Sequence, residues 1–160
     1  MIRAVRISDA EDISGIYNYY IENTVITFEE KRVSVDEMVR RIKEYTASYP
    51  WLVFEEDGRI LGYCYASQWK TRSAYRFSAE TTVYVQEQQQ SKGIGTALYM
   101  HLLSEVKKYG IHTLVAGITL PNEKSQKLHE KIGFLKVAHF SEIGKKFDTW
   151  LDVGYWQLHM

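Results

Sequence analysis

One carboxylate interrupts an alternating apolar segment near the middle of the chain. Glu80 lies in SAETTVYV, a pattern that predicts a β-strand. Burial beside apolar neighbours raises the pKa of a carboxyl group and makes it a better base near neutral pH. Glu80 is therefore a candidate proton acceptor. The alternative interpretation is an ordinary strand-face glutamate paired with an arginine or lysine.

Two glycines follow the same strand, in VYVQEQQQSKGIGTAL, where a strand runs directly into a predicted helix. The first N–H groups of a helix have no intrahelical partner and lie at the positive end of its dipole, so an anion is stabilised there. Glycine lacks the β-carbon that would keep a pyrophosphate from the backbone. We expect such a cradle over Gln90, Ser91, Lys92, Gly93, Ile94, Gly95 and Thr96. A tight turn with close helix packing is the alternative.

The surrounding pattern alternates strand and helix signals, which predicts one mixed α/β domain over residues 1–160. Amphipathic spacing predicts a first helix from Ala10 to Glu22, capped by Ser8 or Asp9, and a capping box at Ser34 starts the second. Asp57-Gly58 predicts a hairpin turn. The remaining predicted elements are a strand in YRFSAETTVYV, a helix closed by Gly110, a buried strand in TLVAGI, a helix between Asn122 and Gly133, and strands in FLKVAHF and WLDVGYWQLH.

Composition excludes several partners. The 20 basic and 20 acidic residues cancel, so no positive field favours nucleic acid. No apolar run is long enough to span a membrane, and the first residues lack the pattern of a secretion signal, so we expect a cytoplasmic protein. Cys64, the only cysteine, lies in an apolar strand and predicts packing. The spacing of His101, His112, His139 and His159 predicts no metal site.

Two motifs carry a resemblance to a known family. QQQSKGIGTAL resembles the acyl-CoA-binding signature of the GNAT superfamily of N-acetyltransferases, with Gln90, Gly93 and Gly95 at its defining positions. NEKSQKLHEKIGF resembles the second motif of that superfamily, a helix led by asparagine and ending in Gly-Phe. The stretches IYNYYIENTVITFEE, AYRFSAETTVYV and GKKFDTWLDVGYWQL are similar to the phosphinothricin acetyltransferase family. The resemblance therefore covers nearly the whole chain.

The resemblance implies a fold and a cosubstrate. The fold would be a mixed central sheet with helices on both faces, splayed between the fourth and fifth strands to form a slot for acetyl-CoA. The pantetheine arm would exchange hydrogen bonds with the backbone of Val83, Tyr84 and Val85, as an added strand would. Asn122 would bind the same arm, although a simple helix cap is equally good chemistry for it.

The resemblance also implies a direct transfer of acetyl to an amine. Glu80 matches a family carboxylate and would act as general base through a water molecule. A backbone amide near Tyr84 or Val85 would stabilise the oxyanion. His129 occupies a position where many GNAT enzymes carry a tyrosine, and it would protonate the departing thiolate. The alternatives are a solvated helix-face histidine and a thiolate that leaves unprotonated.

The acceptor would be a small-molecule amine. The loop KTRSAYR would face the acetyl group, where Arg72, Arg76 and the amides of Ser73 and Ala74 would hold a substrate carboxylate, with Phe28 and Glu29 in the pocket wall. The family points to phosphinothricin, methionine sulfone or methionine sulfoximine, and to a homodimer. This chain departs from the family at Asp148 and Thr149, where Gly-Arg is common. Two alternatives concern the function: an acetyltransferase for a peptide N-terminus or a polyamine, and a non-catalytic CoA-binding module. The alternative for KTRSAYR is a solvated turn between strands.

Overall fold

The computed structural model describes residues 1–160, which form a seven-stranded mixed sheet in the order β1-β2-β3-β4-β5-β7-β6. All neighbouring strands run antiparallel except β4 and β5, which are parallel. The strands are β1 (Ile2–Ala4), β2 (Trp51–Glu56), β3 (Arg59–Gln68), β4 (Ser78–Val85), β5 (Thr113–Leu120), β6 (Leu135–Lys146) and β7 (Thr149–His159). The helices are α1 (Ala10–Asn23), α2 (Val35–Thr46), α3 (Ile94–Lys108) and α4 (Glu123–Ile132).

Two apolar cores lie on opposite faces of the sheet. One core packs α1 and α2 against β2 and β3, around Ile13, Met38 and Trp51. The other packs α3 against the centre of the sheet, with Leu98 and Trp156 fully buried. The predicted mixed sheet with helices on both faces is therefore confirmed.

The parallel pair β4 and β5 separates soon after it begins. Hydrogen-bonded register joins Ser78 to Thr113, Ala79 to Leu114 and Glu80 to Val115, and it ends there. Beyond Glu80, β4 continues to Val85 on β3 alone. The opening between the two strands, called the fork below, is the splay that the family resemblance implied. Glu80 lies at its base.

Local signals predicted most of the turns and caps. Asp57 and Gly58 have φ of 50° and 74° and join β2 to β3. Ser34 accepts from the Glu37 N–H at 3.1 Å, but the Glu37 carboxylate binds arginines, so the predicted capping box is only half formed. The predicted cap by Asp9 is wrong, because the arginine at position 3 binds its carboxylate.

One element is longer than predicted. The strand expected in FLKVAHF continues as β6 to Lys146, past two register shifts against β7. None of the helices is long and apolar enough to cross a membrane.

Candidate active site

Two adjoining cavities meet in the fork. The inner cavity, about 380 Å³, lies between β4, β5, α4 and the segment that follows α1. The outer groove, about 440 Å³, runs between the start of α3 and one face of α4. Ile26, Val83, Tyr84, Asn122 and Ser125 line both, so the two spaces are continuous.

The carboxylate of Glu80 lies in the inner cavity, at the base of the fork. Burial raises its pKa, and the positive charge of Lys70 opposes the shift in part. No protein hydrogen bond contributes to this shift. Gly117 on β5 faces the carboxylate, since a β-carbon there would lie 3.6 Å from Glu80 Oε1. The group is therefore an unpartnered carboxylate with an elevated pKa, as a general base requires.

A buried hydrogen-bonded chain lies beside Glu80. The Tyr99 hydroxyl contacts Thr81 Oγ1 at 2.9 Å and His129 Nε2 at 2.7 Å. His129 Nδ1 lies 2.7 Å from the Ser125 carbonyl oxygen, which can only accept. Nδ1 therefore carries the proton, and Nε2 accepts from Tyr99. Burial lowers the pKa of His129, which favours this neutral form.

These hydrogen bonds bear on the role of thiolate donor that was predicted for His129 and that stays a prediction. In the neutral tautomer Nε2 holds no proton, and its lone pair is occupied by Tyr99. His129 is also 3% exposed, so it is not the solvated helix-face residue of the alternative interpretation. The geometry makes it a partner that orients Tyr99 and disfavours it as the direct donor to a thiolate.

The outer groove begins at the glycine loop. Gly93 has φ of 83°, a left-handed conformation that L-side chains rarely adopt, and it precedes the first residue of α3. The first bond of the helix runs from Ala97 N–H to the Gly93 carbonyl, which leaves the N–H groups at 94, 95 and 96 ahead of it. Gly95 serves packing, because its β-carbon would lie 3.3 Å from Leu128 on α4. Close helix packing therefore accounts for Gly95, and the anion cradle over the N–H groups at the start of α3 stays a prediction.

The other residues predicted in this loop divide by position. Gln90, Ser91, Ile94 and Thr96 line the outer groove, whereas Lys92 does not and instead donates to the Gln89 side chain at 2.8 Å. The Gln90 amide donates to the Tyr20 hydroxyl at 2.9 Å and so ties the loop to α1.

The pairing of β4 with β3 determines which backbone N–H and C=O groups of β4 face the fork. The Gln86 N–H bonds the Leu61 carbonyl across to β3. Because N–H direction alternates along a strand, Val83 and Val85 direct theirs into the fork and Tyr84 directs its own toward β3. The Val85 carbonyl already accepts from Tyr20 at 2.5 Å. Val83, Tyr84 and Val85 were predicted to bind pantetheine through their backbone. Of these three, Val83 is the one whose N–H and C=O groups are both available in the fork.

Asn122 occupies the boundary between the two cavities. Its Oδ1 accepts from the Ser125 N–H at 3.2 Å, so the helix cap is confirmed. Asn122 lines both cavities, and its second expected role, contact with the pantetheine arm, stays a prediction.

Three lysines of α4 were missed by the sequence analysis. Lys124, Lys127 and Lys131 line the outer groove and make it basic. Their spacing of three and four residues places them on one helix face, a signal that was available in NEKSQKLHEKIG. Tyr99, Thr119 and Tyr155 of the inner cavity were also missed, and they come from distant elements with no shared motif.

The loop predicted to hold a substrate carboxylate lies apart from the cavity lining. Phe28 lines the inner cavity, but the loop residues predicted with it do not: Arg72, Ser73, Ala74 and Arg76. Ser73 to Tyr75 form an exposed 3-10 turn, and Arg76 lies over the Phe77 ring at 4.3 Å. Lys70, at the start of this loop, is the cation whose charge acts on Glu80.

Cys64 and the remaining titratable groups offer no second site. The Cys64 thiol is fully buried, and burial raises its pKa, so packing is its role as predicted. No cluster of three or more histidine, cysteine, aspartate or glutamate side chains is arranged to hold a metal ion.

Comparisons with known proteins agree with this geometry. The phosphinothricin N-acetyltransferase of Streptomyces viridochromogenes is 37% identical over 156 residues, which cover 98% of this chain and 85% of that one. An L-methionine sulfoximine/L-methionine sulfone acetyltransferase of Salmonella typhimurium is 34% identical over 99% of this chain and 94% of its own length. The crystal structure of a phosphinothricin acetyltransferase from Sinorhizobium meliloti in complex with AcCoA superposes with a TM-score of 0.96 at 33% identity, covering 100% of this chain and 88% of that chain.

The family model described as Acetyltransferase (GNAT) domain matches residues 2–154. That range contains the fork, the glycine loop and α4. The chain is an N-acetyltransferase and belongs to the GNAT family.

Proposed function

We propose that this enzyme transfers the acetyl group of acetyl-CoA to the amino group of a small amino-acid-like substrate, with Glu80 as general base. The observation that carries the proposal is the partly buried, unpartnered carboxylate at the base of a fork where two cavities meet. Relatives named as phosphinothricin and methionine sulfoximine/sulfone acetyltransferases support the substrate class.

Acetyl-CoA would occupy the outer groove. Its pyrophosphate suits the free N–H groups at the start of α3, and its phosphates suit the lysines of α4. The pantetheine arm would follow β4 and bond Val83, with Asn122 on the opposite side. The thioester then reaches the inner cavity, where Glu80 lies.

The amine must lose a proton before it attacks. An α-amino group has a pKa near ~8, so most of it is protonated at neutral pH. Glu80, whose pKa burial raises, accepts this proton directly or through water. The amine attacks the thioester carbon, and the N–H of Val83 or Val85 stabilises the oxyanion as the tetrahedral intermediate forms.

Collapse of that intermediate breaks the carbon–sulfur bond and releases the thiolate, and the amide nitrogen gives its remaining surplus proton to solvent or to that thiolate. A thiol of ordinary pKa, near ~8.5, is a fair leaving group as the thiolate, so no side-chain acid is required. His129 and Thr81 hold the Tyr99 hydroxyl beside the reacting centre, which makes them positioning residues in this proposal.

Lys70 is our first candidate cation for a substrate carboxylate, because it is the one cation whose charge acts on Glu80. Its charge acts on Glu80, so an α-amino acid with its amine at Glu80 would bring its carboxylate toward Lys70. Arg72 and Arg76 remain candidates for the same role, supported by the family resemblance and by their place in the same loop.

An acetyl-CoA assay tests the proposal directly. Amino acids, sulfoximines, sulfones, polyamines and peptides are offered to the wild type and to Glu80→Gln, and release of free CoA is measured. We expect turnover with amino-acid-like amines and its loss in the variant. Turnover with polyamines or peptides alone would reject the substrate class, and no turnover with any amine would favour a CoA-binding module.

We also propose that the enzyme is a homodimer through β6. This edge strand exposes backbone groups, and the β6–β7 hairpin exposes six large apolar side chains by 46–72%, a surface suited to a second copy. These are Leu135, Val137, Phe140, Ile143, Phe147 and Trp150. Sedimentation should give a dimer for the wild type and a monomer for Leu135→Asp/Val137→Asp. A monomeric wild type would reject the proposal.

A further inference from the structure

The wall of the inner cavity opposite β4 and β5 has no regular secondary structure. Ile26, Thr27 and Phe28 follow α1 and line the cavity, yet they belong to no helix or strand. Their backbone groups therefore depend on side chains, one of them local: the Ile26 N–H donates to Thr24 Oγ1 at 3.2 Å. Positions on such a segment are set by those anchors, and the shape of the cavity is set with them.

Three anchors hold this wall. Thr119 on β5 donates weakly to the Ile26 carbonyl at 3.5 Å, and the Tyr17 hydroxyl contacts Thr27 Oγ1 at 2.7 Å. The third is Lys146, whose ammonium group donates to the Thr27 carbonyl at 2.8 Å across 119 residues of sequence. It is the only charged group among the three.

Lys146 is 2% exposed, which is rare for a lysine. Burial lowers its pKa, and the carboxylates of Glu29 and Glu30 act in the opposite direction. An apolar side chain of similar length would avoid the desolvation of an ammonium group, so packing alone does not explain a lysine here. The bond to the Thr27 carbonyl does.

The same hairpin shapes the position of Phe28. A β-carbon at Gly144, two residues before Lys146, would lie 2.2 Å from Phe28 Cε2. Gly144 thus leaves the space that the Phe28 ring fills, while Lys146 binds the carbonyl of Thr27, the residue before Phe28. The ring is 40% exposed and forms part of the cavity surface.

We infer that Lys146 is a positioning residue for amine selection: by anchoring the Thr27 carbonyl, it holds Phe28 as the wall against which the substrate side chain packs. The inference rests on the proposed function for its kinetic consequence. Most of acetyl-CoA would bind in the outer groove, whose lining does not include Phe28.

Lys146→Met tests this role, because methionine keeps most of the stem and removes the donor. The matched control is Lys145→Met, on the same strand but solvent-facing and paired with Asp148 at 2.7 Å. We expect the KM for the preferred amine to rise about tenfold in Lys146→Met, the size of effect that a charge-assisted hydrogen bond allows. The KM for acetyl-CoA should stay unchanged, and Lys145→Met should match the wild type.

Amide hydrogen exchange supplies a readout that needs no substrate. Lys146→Met should speed exchange in a peptide covering residues 24–30, and Lys145→Met should leave it unchanged. Unchanged exchange and unchanged amine KM in a folded Lys146→Met protein would overturn the inference. If the wild type acetylates no amine, the proposed function fails while the exchange result still judges the anchor.

A second variant covers the case in which Lys146→Met does not fold. Gly144→Ala leaves Lys146 in place and displaces Phe28, so it should raise the amine KM and spare the KM for acetyl-CoA. Amines with small and large side chains should then be discriminated less well than by the wild type. A Gly144→Ala enzyme with wild-type selectivity would show that Phe28 does not act as the wall and would also overturn the inference.

Discussion

The outer groove and the inner cavity meet in one fork but are built on different principles. The groove uses backbone N–H groups at a helix start and lysines on one helix face, and most of its lining comes from two short segments, residues 89–96 and 122–131. The cavity uses side chains from β4, β5, β6, β7, α3, α4 and the segment after α1. A ligand shared by many enzymes suits the first design, whereas a variable acceptor suits the second.

The electrostatics of the two regions also differ. Charges in the groove face water and are screened by salt, so each contributes little. Tyr99 and His129 are buried and Glu80 is partly buried, and burial shifts the pKa of each toward its neutral form. Substitutions in the cavity should therefore alter the chemical step, and substitutions in the groove should alter binding.

The largest effect should follow removal of the base. Glu80→Gln keeps the size of the side chain, and we expect kcat/KM to fall by roughly 10²–10⁴, the usual contribution of general base catalysis. Acetyl-CoA affinity, measured by calorimetry, should barely change. The loss should shrink as pH rises, because more of the amine then arrives neutral. Near-normal activity of the variant at neutral pH would place the base elsewhere.

In the groove, the strongest effect should come from Gly93. Alanine at its φ of 83° strains the loop, and we expect about a tenfold weaker affinity for acetyl-CoA, in line with the ~1–2 kcal/mol cost of a left-handed residue. Gly58→Ala is the matched control, since Gly58 has φ of 74° in a distant hairpin turn and equally open surroundings. Equal affinities in the two variants would separate the loop from cofactor binding.

The sequence predicted the outer groove better than it predicted the inner cavity. Gly93, Gly95 and Asn122 lie in contiguous motifs, and the hydrophobic periods predicted the four helices and the mixed sheet around them. Tyr99 contacts His129 across 30 residues and Lys146 contacts Thr27 across 119. No spacing rule connects such residues, because tertiary packing alone brings them together.

The loop at KTRSAYR shows a further reason for the gap. Its composition predicted carboxylate binding, but composition does not say which way a loop turns. Arg72 and Lys70 are both exposed and outside both linings, but the charge of Lys70 acts on Glu80. Which cation of the loop acts on the cavity depends on how the backbone turns, and no residue in the stretch specifies that turn.

Substrate orientation should give the next effect. Lys70→Met should raise the KM for carboxylate-bearing amines about tenfold, as loss of a charge-assisted bond predicts, and should spare the matching amines that lack the carboxylate. Arg72→Ala should change both classes less than twofold. The reverse ranking in steady-state kinetics would assign the carboxylate to Arg72 instead.

A smaller effect should come from the basic face of α4. Lys131→Gln should raise the KM for acetyl-CoA about two- to threefold at low salt, as expected for an exposed charge worth under ~1 kcal/mol. The difference should fade at 0.5 M salt. Lys107→Gln on the far end of α3 controls for net charge, and an equal response in both variants would make the effect nonspecific.

The smallest effect should be on stability, which should rise in Glu80→Gln although its activity falls. The folded-state pKa of Glu80 is raised by burial, so the stability it contributes is present below its unfolded pKa and is lost as pH rises through its folded value. At neutral pH the charged carboxylate therefore destabilises the fold. Glu80→Gln should raise Tm at pH 7 by about 2–4 °C for each kcal/mol recovered, and the gain should vanish near pH 4. Calorimetric scans at both pH values measure it, and a lower Tm at pH 7 would show that the charged carboxylate supports the fold.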